Sequence, residues 1–64
     1  MVKINGKETA HDGIKVSQLL EKLGYKPQSV AVECNEEIVP KSQYDTFTLN
    51  DGDSVEIVSF VGGG

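Results

Sequence analysis

Only one segment of this 64-residue chain carries the apolar spacing of a long helix, and that limits what the rest can build. Val16, Leu19, Leu20 and Leu23 fall at i, i+3, i+4 and i+7, the stripe of a helix with one buried face. Gly24 is placed to end that helix in the left-handed conformation, and Pro27 blocks any continuation. The remaining apolar residues lie in short runs that read as strands. Val2 and Ile4 alternate ahead of Asn5-Gly6, a strong two-residue hairpin signal, which predicts a return strand over 7–11. Asp12-Gly13 makes a turn before the helix.

Beyond the helix, Val30, Val32 and Cys34 share one face of a strand over 30–34. Asn35-Glu36-Glu37 then turns the chain into Ile38-Val39, where Pro40 confines pairing to an edge or an end. Residues 41–46 read as a loop or a single helical turn, and Phe47 to Leu49 as a brief extended piece. After the turn cluster Asn50-Asp51-Gly52-Asp53, the last strand sets Val55, Ile57 and Ser59 on one face and Glu56, Val58 and Phe60 on the other. The economical arrangement is an α+β fold in which a mixed sheet of four to five strands wraps over the helix. One sheet face is covered and the other solvated. Val58 and Phe60 then lie on the solvated face. Residues 1–61 form a single domain, and residues 62–64 a flexible tail.

That tail is Gly62-Gly63-Gly64, set directly after an apolar strand. Without Cβ atoms it can take almost any backbone conformation and enter a channel too narrow for side chains. Three extended residues reach roughly 10 Å, enough to carry a terminal carboxylate away from the domain. The reading that follows is a reactive terminus at Gly64, with Gly62 and Gly63 threading it into a partner.

At this size one small core is close to the lower limit for folding without metals or disulfides. The lone Cys34 excludes an internal disulfide and a cysteine-based metal cluster, and its phase with Val30 and Val32 places it in the core. His11 has no clustered ligand, Asp51 and Asp53 lack the rest of a calcium loop, and Tyr25 and Tyr44 make no aromatic-basic stripe. No apolar run is long enough to span a bilayer, so a cytoplasmic protein is expected. The net charge is −4. Residues 1–41 hold six lysines and six acids, whereas residues 42–64 hold Asp45, Asp51, Asp53 and Glu56 with no basic residue. Such a surface disfavours nucleic acid and anionic membrane and favours encounter with a basic protein face.

A hairpin, a helix, further strands and a Gly-Gly ending resemble the ubiquitin-like β-grasp fold. Within it the chain resembles the ThiS family, the bacterial sulfur carriers of thiamine biosynthesis. Asn35-Glu36-Glu37-Ile38-Val39-Pro40 matches that family's Asn-x-x-Ile-Val-Pro segment, and Asp51-Gly52-Asp53 its Asp-Gly-Asp turn. Val16-Ser17-Gln18-Leu19-Leu20 resembles the start of its helix, and Val61-Gly62-Gly63-Gly64 its tail, which in many members has two glycines rather than three. The resemblance implies a protein co-substrate rather than an enzyme. An E1-like adenylyltransferase (ThiF type) would adenylate Gly64 with ATP, a sulfur donor protein would supply the sulfur of a thiocarboxylate, and thiazole synthase (ThiG type) would consume it. No cofactor would be bound stably, ATP being used by the activating partner. Val58, Phe60 and Val61 would be docking contacts, and a monomer is expected, since a carrier must visit two partners. Alternative readings are the small subunit of molybdopterin synthase, a ubiquitin-like modifier joined to lysines, and a β-grasp binding domain with an inert tail.

Overall fold

The computed structural model describes residues 1–60. Val61, Gly62, Gly63 and Gly64, and with them the expected tail, lie outside the described residues. The elements run β1 (Val2–Ile4), β2 (Lys7–Thr9), α1 (Val16–Leu23), a 3-10 turn (Pro27–Ser29), β3 (Val30–Cys34), β4 (Glu37–Ile38), a second 3-10 turn (Lys41–Gln43) and β5 (Ser54–Ser59). They form a five-stranded sheet in the order β2-β1-β5-β3-β4. At its centre β1 runs parallel to β5, while every other pairing is antiparallel. This is the expected α+β arrangement of the β-grasp type, with Val16, Leu19 and Leu20 of the helix in one cluster with Val2, Val32, Val55 and Ile57 of the sheet.

Local chemistry explains the boundaries. Asn5 (φ 50°) and Gly6 (φ 83°) take the left-handed pair that a tight hairpin turn demands. Asn5 does more than turn the chain. Its side-chain Oδ1 accepts from the Ile57 N–H at 2.8 Å, so the amide extends the β1–β5 ladder where the backbone of β1 has run out. The return strand stops at Thr9, short of the predicted His11, because β1 offers only Val2 to Ile4 to pair with. Thr9 Oγ1 donates to the Val2 carbonyl at 2.9 Å and meets His11 Nδ1 at 2.8 Å, closing that corner.

The helix begins where Gln18 Oε1 accepts from the Lys15 N–H at 2.9 Å, half of a capping box. Its next donors are taken from outside the helix: Val16 N–H by the Phe47 carbonyl at 3.0 Å and Ser17 N–H by the Tyr44 carbonyl at 2.8 Å. At the other end Gly24 (φ 83°) closes a Schellman turn, with Tyr25 N–H donating to the Leu20 carbonyl at 2.9 Å. That turn brings Tyr25 against the core, while Leu23, expected in the buried stripe, is 42% exposed. The buried face of the helix is therefore one turn shorter than its apolar spacing. The extended piece at 47–49 survives as a single bridge between Lys15 and Thr48, with Leu49 fully buried.

Candidate functional site

Alternation along β5 divides its side chains between two environments. Val55 and Ile57 are buried, whereas Glu56 and Val58 stand in solvent, Val58 being 56% exposed. Register then fixes the neighbours on the outer face. Val58 lies opposite Ala31, Glu56 opposite Glu33, and Glu33 opposite Ile38 on the edge strand β4. Phe60 follows two residues after Val58 and is 49% exposed. Val58 and Phe60 thus stand where alternation predicts. Ser59 shares the phase of Ile57 but is exposed at the strand's end.

Ile38 is the apolar member of this face that sequence reasoning missed, at 64% exposure. A usable signal exists in the turn. Asn35 (φ 53°) and Glu36 (φ 70°) make a two-residue hairpin loop, so Cys34 must pair with Glu37, Glu33 must pair with Ile38, and Ile38 must share the outward side of Glu33.

The two family-like motifs prove to be one structural unit. Asn35 Nδ2 donates to Asp53 Oδ1 at 3.0 Å, and Asn35 Oδ1 accepts from the Ser54 N–H at 3.0 Å. Asp53 Oδ2 in turn accepts from the Asn50 N–H at 2.8 Å, closing its own turn. Asn35 and Asp53 are therefore occupied in joining two turns across the sheet.

At the opposite end of β5 several segments meet where the chain leaves the sheet. Phe60 N–H donates to the Ser29 carbonyl at 2.9 Å. Lys41 Nζ donates to the Val30 carbonyl at 2.7 Å and the Pro27 carbonyl at 3.2 Å. The same ammonium lies 5.8 Å from the centre of the Tyr44 ring and 5.6 Å from that of Phe60, within cation–π range of both. Nothing in the sequence pattern marks Lys41 for this role, since the contact joins residues far apart in the chain.

The charges distribute differently from the expectation of an acidic approach to the tail. Asp51 and Asp53 lie before β5, and the six-residue strand separates Asp53 from Phe60 by roughly 23 Å at ~3.3 Å per residue. Asp51 is engaged there with the Met1 ammonium at 2.5 Å. That bond lowers the Asp51 carboxyl and raises the ammonium from their ordinary values. On the outer face Glu8 of β2 lies opposite Lys3, whereas Glu33 and Glu56 lie opposite one another with no ion-pair partner among the described residues, and with Asn35, Glu36 and Ser54 they line a shallow groove.

Cys34 is buried, as its phase predicts, and burial first, then Asp53 and Glu37, push its thiol up. A thiolate nucleophile needs the reverse environment. Among the described residues no group of three or more His, Cys, Asp or Glu is placed to hold a metal ion, and no helix is long and apolar enough to cross a membrane. What remains on the surface is an apolar and acidic sheet face that leads to Phe60.

Comparison with known proteins gives this geometry a context. The model of the ThiS family matches residues 1–64. A sulfur carrier protein ThiS of Bacillus subtilis is 39% identical over 66 residues, which cover 100% of each chain. A thiazole synthase of Paramagnetospirillum magneticum is 52% identical over 62 residues, 95% of this chain but 19% of that protein, so this chain spans about a fifth of the length of that relative. The crystal structure of a thiamine biosynthesis protein (ThiS) from Geobacter metallireducens superposes with a TM-score of 0.80 at 36% identity, covering 98% of this chain and 97% of that one.

Proposed function

Since the chain belongs to the ThiS family, we propose that it is a sulfur carrier in the synthesis of the thiamine thiazole, acting as a protein co-substrate whose reactive group is the carboxylate of Gly64. The observation that carries the reading is the end-to-end correspondence with a sulfur carrier, which covers the whole of both chains. A sheet whose last strand leads from a buried core to the glycine tail agrees with it.

The chemistry follows from the terminus. A carboxylate is a poor electrophile because its leaving group would be an oxide. An E1-like adenylyltransferase transfers the adenylyl group of ATP to Gly64, releasing pyrophosphate and forming a mixed anhydride. The terminal sulfur of a donor-protein persulfide attacks the carbonyl carbon and AMP departs, leaving an acyl disulfide. A thiol then attacks the donor's own sulfur, forming a disulfide with it and releasing the thiocarboxylate. Thiazole synthase then takes that sulfur. Support for this last partner comes from thiazole synthases that carry a stretch similar to this chain within their own sequence. Gly63 and Gly64 leave the terminus slim enough for both partner sites, and Gly62 extends the reach. Val58, Phe60 and Val61 supply the docking contacts, with ATP bound by the activating enzyme and none by the carrier.

Pyrophosphate exchange tests the first step. With an adenylyltransferase of this class, the chain should support ATP–pyrophosphate exchange, and Gly64→Ala should lower kcat/KM by about 10²-fold, the scale of a misplacement of about 1 Å at a reacting centre. Gly62→Ala should stay within about twofold, as for a substitution away from the chemistry. Equal severe losses at both positions would remove the distinction. No exchange with the intact chain, using an enzyme active on another carrier, would refute the reading.

A further inference from the structure

The contacts of Lys41 link three parts of the chain that are distant in sequence. Its ammonium has three N–H donors, and the Pro27 and Val30 carbonyls accept from it. Those carbonyls belong to the 3-10 turn and to the first residue of β3. The positive charge also faces two rings with opposite situations. Tyr44 is buried in the core, 4% exposed, while Phe60 stands half in solvent at the end of the sheet. Phe60 therefore has no hydrophobic core around it to fix its ring. Among the described residues it is held by one backbone hydrogen bond to Ser29 and by the cation beside it.

From this arrangement we propose that Lys41 is a positioning residue for the C-terminal segment. It ties Phe60, the last described residue, to the buried Tyr44 and to the 27–30 backbone, so that the chain beyond leaves the domain from a fixed point. The inference rests on the carrier reading for its consequence, since a fixed root lowers the conformational cost of delivering Gly64 into a partner. It does not rest on that reading for its geometry. Lys41 touches no reacting atom. Its effect should therefore appear in the formation of the productive complex and leave the adenylation step itself unchanged.

Two measurements test this on the full chain. In adenylation kinetics, Lys41→Met, which keeps an apolar stem and removes the charge, should raise KM about fivefold and leave kcat unchanged, the scale of one or two cation–π contacts at an exposed site. Lys41→Arg should restore most of the loss, because a guanidinium also donates to carbonyls and stacks on rings. By nuclear magnetic resonance of the free chain, the Lys41 ε-methylene protons should be shifted upfield by the two rings. Phe60→Leu should move them toward their ordinary position. Lys41→Met should also lower the backbone order parameter of Phe60 while leaving that of Val32 in the core unchanged.

An unshifted ε-methylene, or a Phe60 order parameter indifferent to Lys41→Met in a folded variant, would overturn the proposal. So would a loss in kcat with KM unchanged, or an arginine variant as impaired as the methionine one. Failure of the unsubstituted chain to be adenylated would instead count against the carrier reading, and the resonance measurements would still decide the role of Lys41.

Discussion

Along β5, Val55 and Ile57 enter the helix-covered core, whereas Glu56 and Val58, each one residue further on, enter solvent. The inner set meets Val16, Leu19 and Leu20 in a cluster that also gathers Val2, Val30, Val32 and Leu49. The outer set meets no second layer. It places apolar Val58 and Ile38 beside Glu33 and Glu56, two like charges opposite one another, which is an unfavourable pairing in a sheet. Burial accounts for the inner residues in full. It accounts for none of the outer ones. A domain this small has little stability to spare, so a stretch of outer face that is both apolar and self-repelling agrees with the docking role proposed for it.

The contrast should break first under substitution on the inner side. Leu19 is fully buried, and Leu19→Ala should cost about 2–5 kcal/mol by the usual scale of core truncation, a large fraction of the stability of a domain this size. Urea denaturation would measure it, and a cost below that range would mean the core is less tightly packed than the burial implies.

Val58→Ser on the outer side should do the opposite. Stability should stay within about 0.5 kcal/mol, as for exposed positions generally, while kcat/KM in adenylation falls about tenfold for loss of a docking contact. Lost stability with unchanged kinetics would place Val58 with the inner set.

A smaller effect should sharpen the comparison from the turn that joins β3 to β4. Glu36 holds φ 70°, a conformation in which glycine is at ease and a side chain is not. Glu36→Gly should stabilise by roughly 0.5–1 kcal/mol and leave adenylation unchanged, with the gain read from the same urea curves. A loss of adenylation would extend the docking face into the turn.

The smallest effect concerns the far end of β5. The Asp51 carboxyl is lowered by the Met1 ammonium, so its contribution is present above its ordinary value of 3.8 and lost as pH falls through the lowered one. The ammonium is raised, so its contribution is complete below 8.0 and lost as pH rises through the raised value. Thermal melts should therefore show shallow shoulders at both ends of that window, and Asp51→Asn should flatten both. Both groups are exposed, which keeps the effect small.

Much of the inner side was legible in the sequence because local signals specify it. Asn5-Gly6 dictated a hairpin, Gly24 the helix end, and the alternation from Val30 to Cys34 a strand with one buried face. Leu23 was misjudged because helical spacing does not register that Tyr25, after the Schellman turn, packs against the core. The outer side was legible only in part. Val58 and Phe60 follow from period-two alternation, but Ile38 joins them through strand register across a turn. Lys41 reaches Phe60 only through tertiary folding, and no local pattern encodes a contact between residues so far apart. The acidic residues misled for the same reason. Asp51 and Asp53 are near the tail in sequence, yet the whole length of β5 lies between them and Phe60.

The central claim is that Gly64 becomes a thiocarboxylate, and mass measurement of a single peptide tests it most directly. Lys41 is the last basic residue, so trypsin releases residues 42–64 as one peptide free of methionine and cysteine. Exchange of oxygen for sulfur is nearly isobaric with oxidation, and this peptide lacks both residues that would oxidise most readily. After incubation with ATP, a sulfur donor and an E1-like adenylyltransferase, the peptide should gain the mass of that exchange and react with a thiol-selective label at its C-terminus. An unchanged, unlabelled peptide, with the same enzyme loading another carrier in parallel, would contradict the account.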